Sequence, residues 1–151
     1  MVLCLRPGVK AAENMIVELP GDWQRLVQTA AAGRQAAETN ENLRPDFWVR
    51  RFTAEAALKL ALGRADLDGF KVYVTNNPAL GLLVPAGLVD PVDDGLVLVL
   101  AEYVSAEYIV FHGWIKDESA RTGYQPRAVE GRGPLMHVIP LNRLSPVGDL
   151  K

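Results

Sequence analysis

Glu55, Asp68, Lys71, Tyr73 and Thr75 are the residues of this chain whose types and spacing invite a chemical reading. Glu55 lies in a helical pattern and Asp68 just ahead of an alternating run, so a helix and a strand entrance would bring two carboxylates together. Such a pair can hold Mg²⁺, a hard cation that takes a few carboxylate oxygens and keeps several waters. Glu55 and Asp68 are therefore the candidate metal ligands, and together with Lys71 the candidate catalytic residues. A plainer reading competes: Glu55 can pair with Lys59 at i,i+4, and Asp68 with Gly69 can form a turn. Tyr73 and Thr75 are ordinary strand formers.

Stronger signatures are missing from the sequence. There is no glycine-rich phosphate loop, no paired-histidine zinc motif and no GxSxG elbow. His112 is expected to share a strand face with Tyr108, Val110 and Trp114, and His137 lies in an apolar run. Single histidines in such settings read as structural. Cys4 is the only cysteine, so no intramolecular disulfide or cysteine zinc cluster can form.

Two sparse basic sets suggest a partner. Arg44, Arg50, Arg51, Lys59 and Arg64 surround the second helical pattern, with Asp46 and Glu55 as the acids between positions 44 and 64. Arg121, Arg127, Arg132 and Arg143 follow late in the chain. Arg44, Arg50, Arg51, Lys59, Arg127 and Arg132 are the candidate nucleic-acid contacts, enough for a few salt-sensitive phosphate interactions with DNA. They carry no base-reading motif, and the alternative is solvated loop charge. A protein partner is the other expectation.

The 151 residues suit one domain, and 49% hydrophobic with 23% charged residues excludes a disordered, collagenous or coiled-coil chain. A net charge of -2 argues against a protein that coats nucleic acid. No run is long enough to span a membrane, and the expected setting is soluble and cytoplasmic, in the host cytoplasm if the protein is viral. The oligomeric state is left open.

The elements that must position these residues follow from periodicity. Residues 1–20 read as an N-terminal arm with one short apolar run, Met15 to Leu19, and residues 21–151 as a single domain. Asp22 precedes a helical pattern over about 22–38. Phe47 and Trp48 anchor a polar connection, and a second helix follows from Phe52, stopped by Gly63. Strands are expected at Phe70–Thr75, Leu80–Val84, Leu96–Leu100, Tyr108–Ile115 and Leu135–Ile139, the first two as a hairpin and the third buried on both faces. Lys116–Pro134 reads as an excursion with one helical turn. Two N-terminal helices on a mixed, mostly antiparallel sheet of about five strands is an α+β fold.

The order of "FTAEAALKLALG", "DLDGFKVYVT", "GLVLVLAEY", "EYIVFHGWI" and "MHVIPLNRLSPVGDL" resembles small proteins of the PD-(D/E)XK nuclease superfamily, including versions common in phages and mobile elements. The resemblance covers roughly residues 23–150 and rests on pattern and order. It implies a restriction-endonuclease-like core in which Glu55 matches the helix glutamate and Asp68 the strand-entrance aspartate. The second acidic position falls on Tyr73 and the lysine position on Thr75, neither of which binds a metal or steadies phosphate charge well. Lys71 lies four residues from Thr75, about 13 Å along a strand. The resemblance thus implies a nuclease fold with a degenerate site that acts by binding DNA or a protein. The alternatives are an active Mg²⁺-dependent deoxyribonuclease with a rearranged site, and a protein-binding adaptor or inhibitor.

Overall fold

A computed structural model describes residues 14–86, 95–131 and 133–150. Its centre is the run rich in leucine and valine that reads as a strand buried on both sides. This is β4, Val97–Tyr103, in which Leu98, Val99, Leu100 and Ala101 are all essentially without solvent exposure. Around it stand β1 (Met15–Glu18), β2 (Phe70–Thr75) and β5 (Tyr108–Lys116), in the order β1-β5-β4-β2. β2 runs parallel to β4, whereas β5 is antiparallel to both β4 and β1. Three further strands, β3 (Leu82–Pro85), β6 (Arg127–Ala128) and β7 (Leu135–Ile139), form a second, antiparallel sheet in the order β3-β7-β6. The architecture is α+β, with the strands divided between a four-stranded mixed sheet and a three-stranded one.

Two long helices cover one face of the four-stranded sheet. α1 (Gly21–Ala36) and α2 (Phe47–Leu62) bury Val27, Ala54, Ala57 and Leu58 against Val99, Ala101, Ile109 and Phe111. The alanines let helix and sheet approach closely, and each fully buried large side chain such as Phe111 contributes about 1.5–3 kcal/mol. Leu98 and Leu100 point to the opposite face, where Leu82, Val84 and Ile139 of the second sheet and Ala120 of a third helix, α3 (Asp117–Gly123), complete another core. β4 therefore carries two hydrophobic cores at once, which is why it shows no polar alternation.

Several local expectations change. α2 begins at Phe47 rather than Phe52, because Phe47 and Trp48 are its first turn, packed edge to face with ring centroids 4.9 Å apart. Gly63 ends it as expected, in a left-handed conformation that lets Arg64 N–H return to the Lys59 carbonyl at 3.0 Å. The expected β2–β3 hairpin does not form. After β2 a 3-10 turn at Pro78–Leu80 and Gly81, at φ 79°, carry the chain into the second sheet, where Leu82 pairs with Ile139. A parallel neighbour for β2 requires such a crossover. The excursion after β5 holds a helix of seven residues and the short β6.

β5 contains a bulge. Leu100 faces Gly113 while Ala101 faces Phe111, so His112 is the extra residue. The shift separates His112 from Trp114, which were expected on one face: Trp114 packs toward the helices, and His112 Nε2 lies 2.8 Å from Glu102 Oε1. Beside the bulge, Trp114 exchanges backbone hydrogen bonds with Ser145, both 2.9 Å, and its indole N–H donates to the Pro146 carbonyl at 2.9 Å. Gly113 sits at φ 146°, and a Cβ there would lie 2.5 Å from Leu144 Cβ and 2.8 Å from the Ser145 carbonyl oxygen. Gly113→Ala is accordingly expected to cost about 2–4 kcal/mol from strain and overpacking. A urea titration with a midpoint unchanged from the parent would contradict that assignment.

Candidate functional site

The cleft with the most chemical character opens between the first turns of α2 and the strand β2. It has a volume of about 460 Å³. Arg44, Phe47, Arg50 and Arg51 form one wall, and the consecutive residues Lys71, Val72, Tyr73, Val74, Thr75 and Asn76 form the other. No carboxylate is among these lining residues. Consecutive strand residues can line one cleft only where the strand is seen edge-on, and β2 is the outermost strand of its sheet among the described residues.

The position of α2 depends on a small polar cluster at the far end of α1. Glu38 accepts the Trp48 indole N–H at 3.2 Å, and Arg34 lies over the Trp48 ring, 4.2 Å from its centroid. Arg34 also reaches Glu38 at 3.8 Å. The backbone N–H of Asn40, followed by the Trp48 and Arg34 contacts, holds the Glu38 carboxyl below the usual glutamate range. The cluster fixes the start of α2, and with it the directions of Phe47, Arg50 and Arg51.

Three arginines of this wall share two carboxylates. Arg50 donates to Asp46 at 2.7 Å, Arg44 approaches Asp46 at 3.8 Å, and Arg51 donates to Glu55 at 3.2 Å. Arg50 also lies against the Tyr103 ring at 5.1 Å, where burial raises the phenol pKa. Lys71 has no carboxylate partner among the described residues and sits 5.2 Å from the centre of the Tyr73 ring. Four cations against two acids leave the cleft electropositive, although the whole chain is slightly acidic.

The sequence-predicted residues fall into separate places. Glu55 is half-buried on α2, and its partner is Arg51, one turn back, rather than Lys59. Asp68 is exposed in the turn with Gly69, whose φ is 84°, and Phe70 N–H closes that turn on the Leu67 carbonyl at 2.9 Å. Neither carboxylate lines the cleft. Among the described residues no three His, Cys, Asp or Glu side chains come together as a metal site. Of the basic candidates, Arg44, Arg50 and Arg51 line the cleft, and so does Lys71. Lys59 and Arg127 do not; Arg127 is exposed on β6 in the second sheet. Arg132 lies outside the described residues. The histidines take structural positions: His137 is buried, and its Nδ1 bonds the Tyr124 carbonyl, so that nitrogen carries the proton.

Phe47 and the open edge of β2 were missed by sequence reasoning. The only signal for Phe47 was its place beside Trp48 after a proline, and nothing local in β2 states which strands flank it.

The hydrogen bond and charge of Arg50 hold the Asp46 carboxyl below the ordinary 3.8. A carboxylate whose pKa is depressed on folding stabilises the fold above its unfolded pKa and loses that contribution as pH falls through its folded one. Because the pair is partly exposed, Asp46→Asn is expected to cost only about 0.5 kcal/mol at neutral pH. The difference in Tm between the two proteins should shrink as pH drops below 3.8, and a difference that grows there would contradict the pairing. Compared with family models, with curated proteins and with solved structures, the chain matches none, so its function has to be argued from the cleft itself.

Proposed function

We propose that this chain is a nuclease-like α+β protein, of the kind carried by phages and mobile elements, that works by binding rather than by cleavage, with DNA or a protein as its partner. The observation that carries the reading is the electropositive cleft itself. It lies along β2, and Tyr73 and Thr75, where the resemblance would place an acid and a lysine, form part of its wall. A strand that had kept a metal ligand there would need carboxylates facing the cleft. This one offers a phenol, a hydroxyl and four cations that outnumber the two carboxylates beside them, which suit a negatively charged chain and not a divalent cation.

The arrangement of elements supports the nuclease-like part. A helix bearing Glu55 leads into a strand preceded by Asp68, and the helices cover one face of a mixed sheet whose centre is β4. Fold alone does not carry activity, and the candidate acids here are an arginine-bound glutamate and a turn aspartate.

The test joins metal binding, cleavage and retention. Calorimetry with Mn²⁺ and Mg²⁺ is expected to show no tight site, and incubation with single- and double-stranded DNA no metal-dependent cleavage. On a support bearing DNA or polyglutamate at low salt the protein should be retained, and the double variant Arg51→Glu with Lys71→Glu should elute at lower salt. Cleavage that disappears in both Glu55→Ala and Asp68→Ala would overturn the reading in favour of a working nuclease.

A further inference from the structure

The register of the four-stranded sheet says which backbone groups of β2 are unpaired. The Gly69 carbonyl accepts from Val97 N–H at 2.8 Å. A parallel ladder uses alternate residues of each strand, so Gly69, Lys71, Tyr73 and Thr75 turn their backbone groups toward β4. Leu96, the residue before Val97, instead accepts from Asp117 N–H on the β5 side at 2.8 Å, which is the same alternation seen from the other edge of β4. The N–H and C=O groups of Val72 and Val74 therefore point away from the sheet, into the cleft, with no strand beside them among the described residues.

From this geometry we infer that the cleft takes an extended, acidic peptide segment of a partner protein, which adds to β2 as a further strand. The inference rests on the reading of the cleft as a binding site and names its occupant. Two independent features converge on one ligand chemistry. An open strand edge supplies four directional backbone hydrogen-bonding groups, which only another polypeptide backbone can match in series. The wall above it supplies guanidinium groups. Val72 and Val74 pack toward α2, so alternate side chains of an added strand would face Arg44, Arg50 and Arg51, and carboxylates there would form paired, charge-assisted hydrogen bonds. The intervening side chains would lie on the face of Lys71, Tyr73 and Thr75.

Charge also selects against the wrong strand. Exposed edges are commonly guarded by lysine, which discourages pairing between like molecules. Here a second copy of the β2 edge would bring four more cations against these four, whereas an acidic segment is drawn in. A nucleic acid would satisfy the arginines and leave the Val72 and Val74 amides unused.

The test uses the full chain, labelled with ¹⁵N, and blocked peptides of about eight residues, the length of a strand. One peptide alternates Glu and Val, one alternates Lys and Val, and one is the Glu/Val peptide N-methylated at every second residue along its bonding edge. A thymidine oligonucleotide is the fourth probe. The Glu/Val peptide should bind, slow hydrogen exchange at the Val72 and Val74 amides by tenfold or more, and lose about tenfold in affinity on N-methylation. It should also lose affinity in the Arg51→Glu variant, with circular dichroism confirming that the variant is folded. Equal binding of the N-methylated peptide would overturn strand addition. Oligonucleotide binding without amide protection, with no peptide binding, would overturn it too and leave a nucleic-acid cleft. Binding of none of the four probes at low salt would instead overturn the underlying view of the cleft as a binding site.

Discussion

The double burial of β4 is the constraint on which the other elements depend. A strand with Leu98, Val99, Leu100 and Ala101 all out of solvent needs an apolar layer on each face and a hydrogen-bonding neighbour on each edge. The helices meet the first demand on one side, and the second sheet with α3 meets it on the other. β5 is supplied locally, by a short connection, but the other edge is taken by β2 in parallel, and that choice determines the rest. The chain must travel back before β4 can start, so it spends the return building β3 of the second sheet. β2 is left outermost among the described residues, and the cleft is the consequence.

The same layering explains where polarity is tolerated. Among the described residues Thr53 and the two histidines are the buried polar residues, and the fold supplies a partner to each: Thr53 Oγ1 donates to the Val49 carbonyl at 2.6 Å, His137 is tied to Tyr124, and His112 at the bulge meets Glu102, whereas the buried Oε1 of Gln35 is left without one. The cations, by contrast, gather where α2 rises over an unfinished sheet edge, and their carboxylate partners lie on the same helix or at its start. Pairs of that kind leave each guanidinium with donors to spare.

How much of this was legible in the sequence depends on how local each feature is. Both long helices and the strands at Tyr108 and Leu135 follow from short-range periodicity, and the two-faced burial of β4 from its unbroken apolar run. The partition of strands into two sheets was not legible, because the choice between a β2–β3 hairpin and a parallel β2–β4 pair is made by contacts across the whole chain. The bulge at His112 was hidden for a related reason: alternation is counted along one strand, and only the partner strand reveals an extra residue. At the site, the cluster Arg44, Arg50 and Arg51 was visible as charge, but its meeting with β2 was not. The partner of Glu55 was ambiguous because Arg51 and Lys59 both stand one turn away.

Trp114 bears on how such a chain acquires its shape during synthesis. The strand containing it is bonded on one edge to β4, and on the other to Met15–Glu18 and to Ser145. Val147, a few residues further on, is fully enclosed in the helix-side core. Segments near the two ends of the described sequence, Met15–Glu18 and Ser145, therefore close on the same element. Helices α1 and α2 are made before the strands β2, β4 and β5 that they cover, and the core they belong to is not sealed until Val147 has joined it. Contacts between segments so far apart in sequence set the pace at which this architecture folds.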